Sequence, residues 1–263
     1  MEDVPPPQRL RLLSANIQAG ARTDGFGHYL TRFPTQVLPH PSKLDNLGHL
    51  ARHLAEFDLV GLQETDPGSL RSGFLDQTHY LALQAGFPCW HHQPNRRVGR
   101  LATSANGLLS RLSPQEVRHH PLPGRIPGRG VLWARFAVAG TDLVVMIAHL
   151  SLGARSRLDQ LAFIAELAQD CPHAVLMGDL NCEPESNELR AFFRRSGFEP
   201  PDCRLPSFPS WRPRRCIDHI LATPGVPVLR RWLLPNLASD HLGMAAEIML
   251  PQRAGNAAGA SSA

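Results

Sequence analysis

Residues 174–181 read Ala-Val-Leu-Met-Gly-Asp-Leu-Asn, an apolar run that ends in two polar side chains. The run of small and aliphatic residues predicts a buried strand. Asp179 and Asn181 are two positions apart, so they point to the same side if the strand conformation continues. Both side chains can then face one ligand, although a simple turn pair would explain the same two residues.

Polar residues of catalytic type end five other segments in the same way. Taken singly, each has a structural explanation: Asn16 could cap a turn, Glu64 could be a surface acid, and His149 could be a core histidine. The ordered set is harder to explain in that way, because the ends of neighbouring strands meet at a common cleft. The full set is Asn16, Glu64, His149, Asp218 with His219, and Asp240 with His241. On a strand, His219 would point away from Asp218, so we expect it to be structural.

Apolar runs bounded by turn residues recur along the chain and predict strands with helices between them. The predicted strands are Leu10–Ala15, Asp58–Leu62, Asn106–Leu109, Val131–Val138, Leu143–Ala148, Ala174–Met177, Ile217–Ala222, Val228–Leu233 and Met244–Leu250. The predicted helices are Lys43–Glu56, Gly68–Ala85, Arg157–Gln169 and Ser186–Arg195. This alternation indicates a mixed α/β architecture.

Length and composition fit one large globular domain. The chain has 263 residues, of which 43% are hydrophobic and 19% charged, which excludes a disordered or fibrous class. We expect the domain over residues 10–251, a flexible tail at 1–9 and a disordered tail at 252–263. There is no signal-peptide pattern, no apolar run of membrane-spanning length and no CxxC pair among five cysteines. We therefore expect a cytoplasmic monomer without a disulfide framework or a structural zinc site.

The charge pattern suits an anionic partner. The formal net charge is +4, and three segments rich in cationic side chains have no regular pattern: His91–Arg100, Arg118–Arg129 and Arg204–Arg215. Solvated turns would explain any one of them. Because arginine binds phosphate oxygens with two parallel hydrogen bonds, we predict a substrate-binding role for Arg97, Arg129 and Arg215.

The ordered set resembles the endonuclease/exonuclease/phosphatase superfamily, which contains the DNase I-like nucleases. The resemblance spans Leu12 to about Leu250, and its most specific parts are Leu62–Glu64, Leu176–Asn181 and Ser239–His241. A histidine at position 149 and the stretch after it look like uncharacterised bacterial members. The resemblance implies a four-layer αββα sandwich, with two packed mixed sheets inside and helices outside.

The resemblance also implies a role for each site residue. Oxygen ligands suit Mg²⁺, for which Mn²⁺ can substitute, and we assign Glu64, Asn16 and Asp240 to the metal. Asp179 would take a proton from the attacking water, with Asn181 orienting it. Asp218 and His241 look like the family's aspartate–histidine pair, and His149 would be a second donor.

The implied function is a Mg²⁺-dependent phosphoesterase acting on a phosphodiester or a phosphomonoester. A lipid head group or a small phosphodiester is the expected substrate. Two alternatives stay open. One is a metal-dependent nuclease acting on DNA or RNA, which the basic charge would suit. The other is a non-catalytic module that binds a phosphorylated ligand.

Overall fold

Two mixed β-sheets form the centre of the molecule. The computed structural model describes residues 8–20, 41–125, 127–235, 237 and 239–250. The first sheet contains β1 (Gln8–Asn16), β2 (Leu59–Thr65), β3 (Cys89–Val98), β4 (Ala102–Ser110), β10 (Val228–Leu234) and β11 (Gly243–Leu250), in the order β10-β11-β1-β2-β4-β3. The second contains β5 (Glu116–Pro121), β6 (Gly130–Val138), β7 (Thr141–His149), β8 (Ala174–Asp179) and β9 (Asp218–Ala222), in sequence order.

Four α-helices of the described residues cover the outer faces of the sheets. They are α1 (Pro41–Leu54), α2 (Gln77–Ala85), α3 (Ala154–Leu167) and α4 (Asn187–Arg195). Leucines of α1 and α2 pack on the first sheet, and α3 and α4 pack on the second. A third apolar cluster fills the space between the two sheets. The predicted four-layer αββα sandwich is therefore confirmed.

The strand directions bring the polar strand ends to one end of the sandwich. In the second sheet, His149 of β7 lies opposite Asp179 of β8, which lies opposite Asp218 of β9. In the first sheet, β1 and β2 run parallel, and Asn16 is paired with Gln63, next to Glu64. The segment before β11 returns to the same end, because β11 is antiparallel to β1.

Three elements differ from the sequence prediction. The predicted helix Gly68–Ala85 is divided into a 3₁₀ turn at Leu70–Ser72 and α2, because Gly73 and Phe74 both adopt left-handed backbone angles. Most of His91–Arg100 is β3 rather than a loop. Part of Arg118–Arg129 is β5. The segment Arg204–Arg215 is irregular, as predicted.

The chain ends lie largely outside the described residues. Residues 1–7 and 251–263 are among those not described, and β1 already begins at Gln8, inside the predicted tail at 1–9. The five cysteines are all free thiols. Among the described helices, none has the length and apolar character needed to cross a lipid bilayer.

Candidate active site

An open cleft of about 330 Å³ lies at the end of the sandwich where the polar strand ends meet. Strands from both sheets contribute side chains to it. The lining residues are Asn16, Gln18, Glu64, Arg71, Arg129, His149, Leu152, Asp179, Asn181, Phe208, Arg215, Ile217, Asp240 and His241. Of the eleven residues predicted to bind metal or substrate or to act in catalysis, nine line the cleft and Asp218 lies directly behind it.

Asp179 lies at the centre of this arrangement and is buried. One carboxylate oxygen, Oδ2, is 3.3 Å from Nδ2 of Asn16, 3.5 Å from Nε2 of His149 and 3.8 Å from Nε2 of His241. The other, Oδ1, accepts a hydrogen bond from the backbone N–H of Asn181 at 3.0 Å. Burial raises the pKa of Asp179, and the neighbouring His149 and His241 oppose that effect.

Gly178 makes this placement of Asp179 possible. Its φ is 151°, and a Cβ atom there would lie 1.8 Å from the carbonyl oxygen of Ala148. Only glycine allows β7 and β8 to approach this closely at their ends. The close approach sets His149 and Asp179 side by side.

Ser207, Asp218 and His241 form a chain of short hydrogen bonds, which we call the serine–aspartate–histidine chain. The Ser207 hydroxyl donates to Oδ2 of Asp218 at 2.5 Å, and Nδ1–H of His241 donates to the same oxygen at 2.8 Å. All three residues are buried. The predicted contact between Asp218 and His241 is thus present, and it leaves Nε2 of His241 facing the cleft.

The two cleft histidines have opposite electrostatic surroundings. Burial lowers the pKa of His149 to about 4, although Asp179 partly offsets this. Burial would also lower the pKa of His241, but the charge and hydrogen bond of Asp218, with the charges of Asp179 and Asp240, raise it to about 10. At neutral pH, His149 is therefore a neutral imidazole and His241 an imidazolium.

Asn16, Glu64 and Asp240 form a second set, which we call the acidic group. Glu64 lines the cleft, its carboxylate accepts no hydrogen bond from another described residue, and Nδ1 of His149 lies 3.9 Å from its Oε1. Burial raises the pKa of Asp240 to about 6; His241 opposes this shift, and the charges of Glu64 and Asp179 add to it. The acidic group therefore brings oxygen ligands together in the cleft, and its nearest imidazolium nitrogen, Nε2 of His241, lies 3.8 Å from Oδ1 of Asp240.

The remaining predicted residues divide into two groups by position. Arg129 and Arg215 line the cleft, and neither forms an ion pair with another described residue. Arg97 does not line it; this residue is exposed on β3. His219 lies on the far side of β9, with Nε2 bonded to the carbonyl of Cys182 at 2.9 Å. Asn181 donates its side-chain amide to the carbonyl of Leu150 at 3.0 Å, so it contacts Asp179 through its backbone.

Three further residues contribute to the site, and two of them, Arg71 and Ser207, were not predicted from the sequence. Arg71 reaches the cleft while bonded to Asp66 at 3.0 Å. The Phe208 ring lies 4.8 Å from the His241 ring. Ser207 has no local sequence signal, because its partner Asp218 is eleven residues away and the contact depends on the path of the loop.

A comparison with family models identifies the superfamily directly. The model of the endonuclease/exonuclease/phosphatase family matches residues 13–241. The chain belongs to this family. Members of the endonuclease/exonuclease/phosphatase family are hydrolases acting on phosphoester bonds and generally depend on divalent metals, and this chain is such a hydrolase.

Solved structures of the family share the fold. The chain is 22% identical to an endonuclease/exonuclease/phosphatase from Beutenbergia cavernae, with a TM-score of 0.73 over 92% of this chain and 72% of that one. It is 18% identical to D. rerio TDP2 complexed with a single-strand DNA product, with a TM-score of 0.67 over 91% and 98%. A mannosyl-6-phosphatase from Bacteroides thetaiotaomicron is 16% identical, with a TM-score of 0.62 over 91% and 99%. No curated protein matches the chain in sequence.

Proposed function

We propose that this protein is a Mg²⁺-dependent phosphoesterase that hydrolyses its substrate by in-line attack of water. The observation that carries the proposal is the environment of Asp179. A buried carboxylate with a raised pKa lies within 3.8 Å of two histidine nitrogens and one amide, inside a cleft that also contains free arginines. This combination supplies a base, a hydrogen-bond donor and positive charge around one point.

The acidic group fits a hard divalent cation. Mg²⁺ prefers carboxylate and carbonyl oxygens and keeps several of its waters, so Glu64, Asn16 and Asp240 are a sufficient set. The raised pKa of Asp240 reflects, in part, repulsion from Glu64 and Asp179, which a cation would relieve. A divalent ion held there would supply positive charge to the non-bridging phosphate oxygens.

A second set of possible ligands exists, but its chemistry does not suit a cation. Ligand atoms of Asp179, Asp218 and His241 all lie within 4.8 Å of one another. However, Oδ2 of Asp218 already accepts two hydrogen bonds, and the pKa of His241 near 10 keeps its ring protonated. A protonated imidazole has no free lone pair and repels a metal ion. We therefore place the metal on the acidic group.

Asp179 is the general base in this proposal. Water attacks the phosphorus while one oxygen of Asp179 takes its proton, the bond from phosphorus to the ester oxygen breaks, and that oxygen leaves as an alkoxide or phenoxide that solvent protonates. The hydrogen bond from the backbone of Asn181 holds the other oxygen of Asp179. The raised pKa makes Asp179 a stronger base than an exposed aspartate. Asn16, whose amide contacts the same carboxylate, limits its rotation.

His241 and the arginines stabilise the developing charge. Because Asp218 accepts a hydrogen bond from Nδ1–H, the other N–H of His241 points from Nε2 into the cleft, towards the position of a phosphoryl oxygen. Neutral His149 can donate one further hydrogen bond. Arg129 and Arg215 are available for other phosphate oxygens, since neither is engaged in an ion pair with the described residues.

The direct test is hydrolysis of bis-p-nitrophenyl phosphate and p-nitrophenyl phosphate by the purified protein. We expect activity with Mg²⁺ or Mn²⁺, loss with EDTA and recovery when the metal is returned. Asp179→Asn should be inactive, whereas Asp159→Asn, on the exposed face of α3, should match the wild type. Hydrolysis that survives complete chelation, or full activity in Asp179→Asn, would overturn the proposal.

Nuclease activity is the second candidate. It is favoured by the unpaired arginines around the cleft and by the likeness in fold to a protein solved with a single-strand DNA product. Plasmid and single-stranded oligonucleotide substrates therefore belong in the same assay. Cleavage of these that is lost in Asp179→Asn would identify a nuclease.

A further inference from the structure

The β3–β4 hairpin ends in a turn that exposes apolar side chains at the cleft end of the molecule. Its tip reads Val98-Gly99-Arg100-Leu101, closed by a hydrogen bond of 3.1 Å from the N–H of Leu101 to the carbonyl of Val98. Val98 is 51% exposed and Leu101 50% exposed, one on each side of exposed Arg100. Solvent-facing hairpin tips are ordinarily polar, so this tip is unusual.

Other exposed apolar side chains lie on loops at the same end. Phe74 is 65% exposed and belongs to the 69–74 segment, whose backbone N–H groups at Leu70 and Arg71 bond to the hairpin tip. Leu152, which follows β7 and lines the cleft, is 78% exposed. Trp211 is 37% exposed on the irregular segment that also carries Phe208. We call these five side chains the apolar rim: Phe74, Val98, Leu101, Leu152 and Trp211.

Arginines lie near the apolar rim, on the β3–β4 hairpin and on loops at the cleft end of the molecule. Within the described part of the chain they have no carboxylate partner, whereas arginines on the sheet faces, such as Arg9, Arg118 and Arg230, do. The arginines of α4 are also unpaired, but α4 lies outside the second sheet. The unpaired arginines beside the apolar rim are Arg96, Arg97, Arg100, Arg125, Arg212 and Arg214.

We infer that the apolar rim and its arginines bind the surface of an anionic lipid bilayer, with the cleft facing the head groups. Entry of exposed aliphatic and aromatic side chains into the interfacial region of the bilayer lowers the free energy, and neighbouring guanidinium groups attract anionic head groups. A nucleic acid is a poorer fit, because three of the five rim residues are aliphatic and have no π-face on which a base can stack. Binding to the bilayer does not depend on catalytic activity. Hydrolysis of a phospholipid head group by the bound protein would depend on it, and that consequence rests on the proposed function.

The experiment is sedimentation of the full-length protein with vesicles. One set of vesicles is phosphatidylcholine alone, and the other contains about one third phosphatidylglycerol, an anionic lipid. We expect binding to the anionic set, weakened when NaCl is raised from about 0.1 M to about 0.5 M. The double variant V98S/L101S should bind about tenfold more weakly or worse. The matched control is L83S/L229S, which removes two exposed leucines from α2 and β10.

Two readouts separate this inference from the proposed function. Hydrolysis of bis-p-nitrophenyl phosphate by V98S/L101S should equal that of the wild type, because neither residue lines the cleft. Brominated lipids should quench part of the tryptophan fluorescence, and Trp211→Phe should remove that part. The inference is overturned if the protein fails to bind anionic vesicles, or if V98S/L101S and L83S/L229S bind them equally. Binding to a single-stranded oligonucleotide with no binding to vesicles would assign the same surface to nucleic acid instead.

Discussion

The two sides of the cleft differ in how completely their charges are matched. In the serine–aspartate–histidine chain, donors and acceptors meet at 2.5 and 2.8 Å, and the charge of Asp218 is balanced by an imidazolium. In the acidic group, the nitrogen 3.9 Å from the Glu64 carboxylate belongs to His149, which is neutral at pH 7, and the imidazolium nitrogen beside Asp240 is 3.8 Å away. In the function proposed above, one side acts through protein groups alone, whereas a cation completes the other.

Asp179→Asn should have the largest effect, because Asp179 contacts both sides. The amide cannot accept the proton of the attacking water, so we expect kcat to fall about 10²–10⁴-fold. Steady-state hydrolysis of bis-p-nitrophenyl phosphate at saturating Mg²⁺ measures this loss. A loss of less than about tenfold would show that another group is the base.

Asp218→Asn should break the serine–aspartate–histidine chain at its centre. Without the carboxylate, the largest of the influences that raise the pKa of His241 is removed, and we expect kcat to fall about 10²-fold. The basic limb of the pH–rate profile should also move to lower pH. Asp142→Asn, at an exposed aspartate, is the control. An unchanged rate and basic limb would mean that His241 does not depend on Asp218.

Ser207→Ala should have a smaller effect on the same chain. Ser207 is a positioning residue: its hydroxyl orients Asp218, and Asp218 retains its bond to His241 when that hydroxyl is removed. We expect kcat to fall about tenfold, with a small downward shift of the basic limb. Ser196→Ala, at the end of α4, should leave both unchanged. A lower melting temperature with normal kcat and an unmoved basic limb would reduce Ser207 to a structural role.

The smallest expected effect is that of pH on the wild-type rate at neutral and mildly alkaline pH. Asp240 and Asp179, whose pKa values are both raised by burial, must lose their protons for activity, so the rate rises with pH along the acidic limb. His241 must keep its proton, so rate falls only near pH 10. Between about pH 7.5 and 8.5 we expect kcat/KM to change less than twofold. A basic limb near 6.5 would indicate a histidine that Asp218 does not influence.

The sequence predicted the cleft well where the chemistry lies at strand ends. Asn16, Glu64, His149 and Asp179 each follow an apolar run, and strand direction then fixes their common end. The need for glycine at position 178 could not be predicted in this way, because it arises from the close approach of β7 in the folded structure. Contacts between residues far apart in sequence depend on loop paths, which periodicity does not describe.

The edge strand β3 was predicted incorrectly for a different reason. Its sequence is polar and contains Pro94, and the pairing with β4 shifts between Pro94 and Arg96. Edge strands tolerate proline and charged residues at such bulges, so the usual alternation is lost. The same error made Arg97 a candidate for the cleft, although it lies on the exposed part of β3.

Mn²⁺ binding by calorimetry and electron paramagnetic resonance tests the central claim most directly. Manganese should bind the wild-type protein and Ser207→Ala with the same affinity, because the hydroxyl lies on the side that needs no cation. Glu64→Gln should weaken binding at least about tenfold, since it removes a charged oxygen ligand from the acidic group. The contrary result is wild-type affinity in Glu64→Gln together with lost binding in Asp218→Asn. That outcome would place the ion among Asp179, Asp218 and His241 and reverse the roles of the two sides.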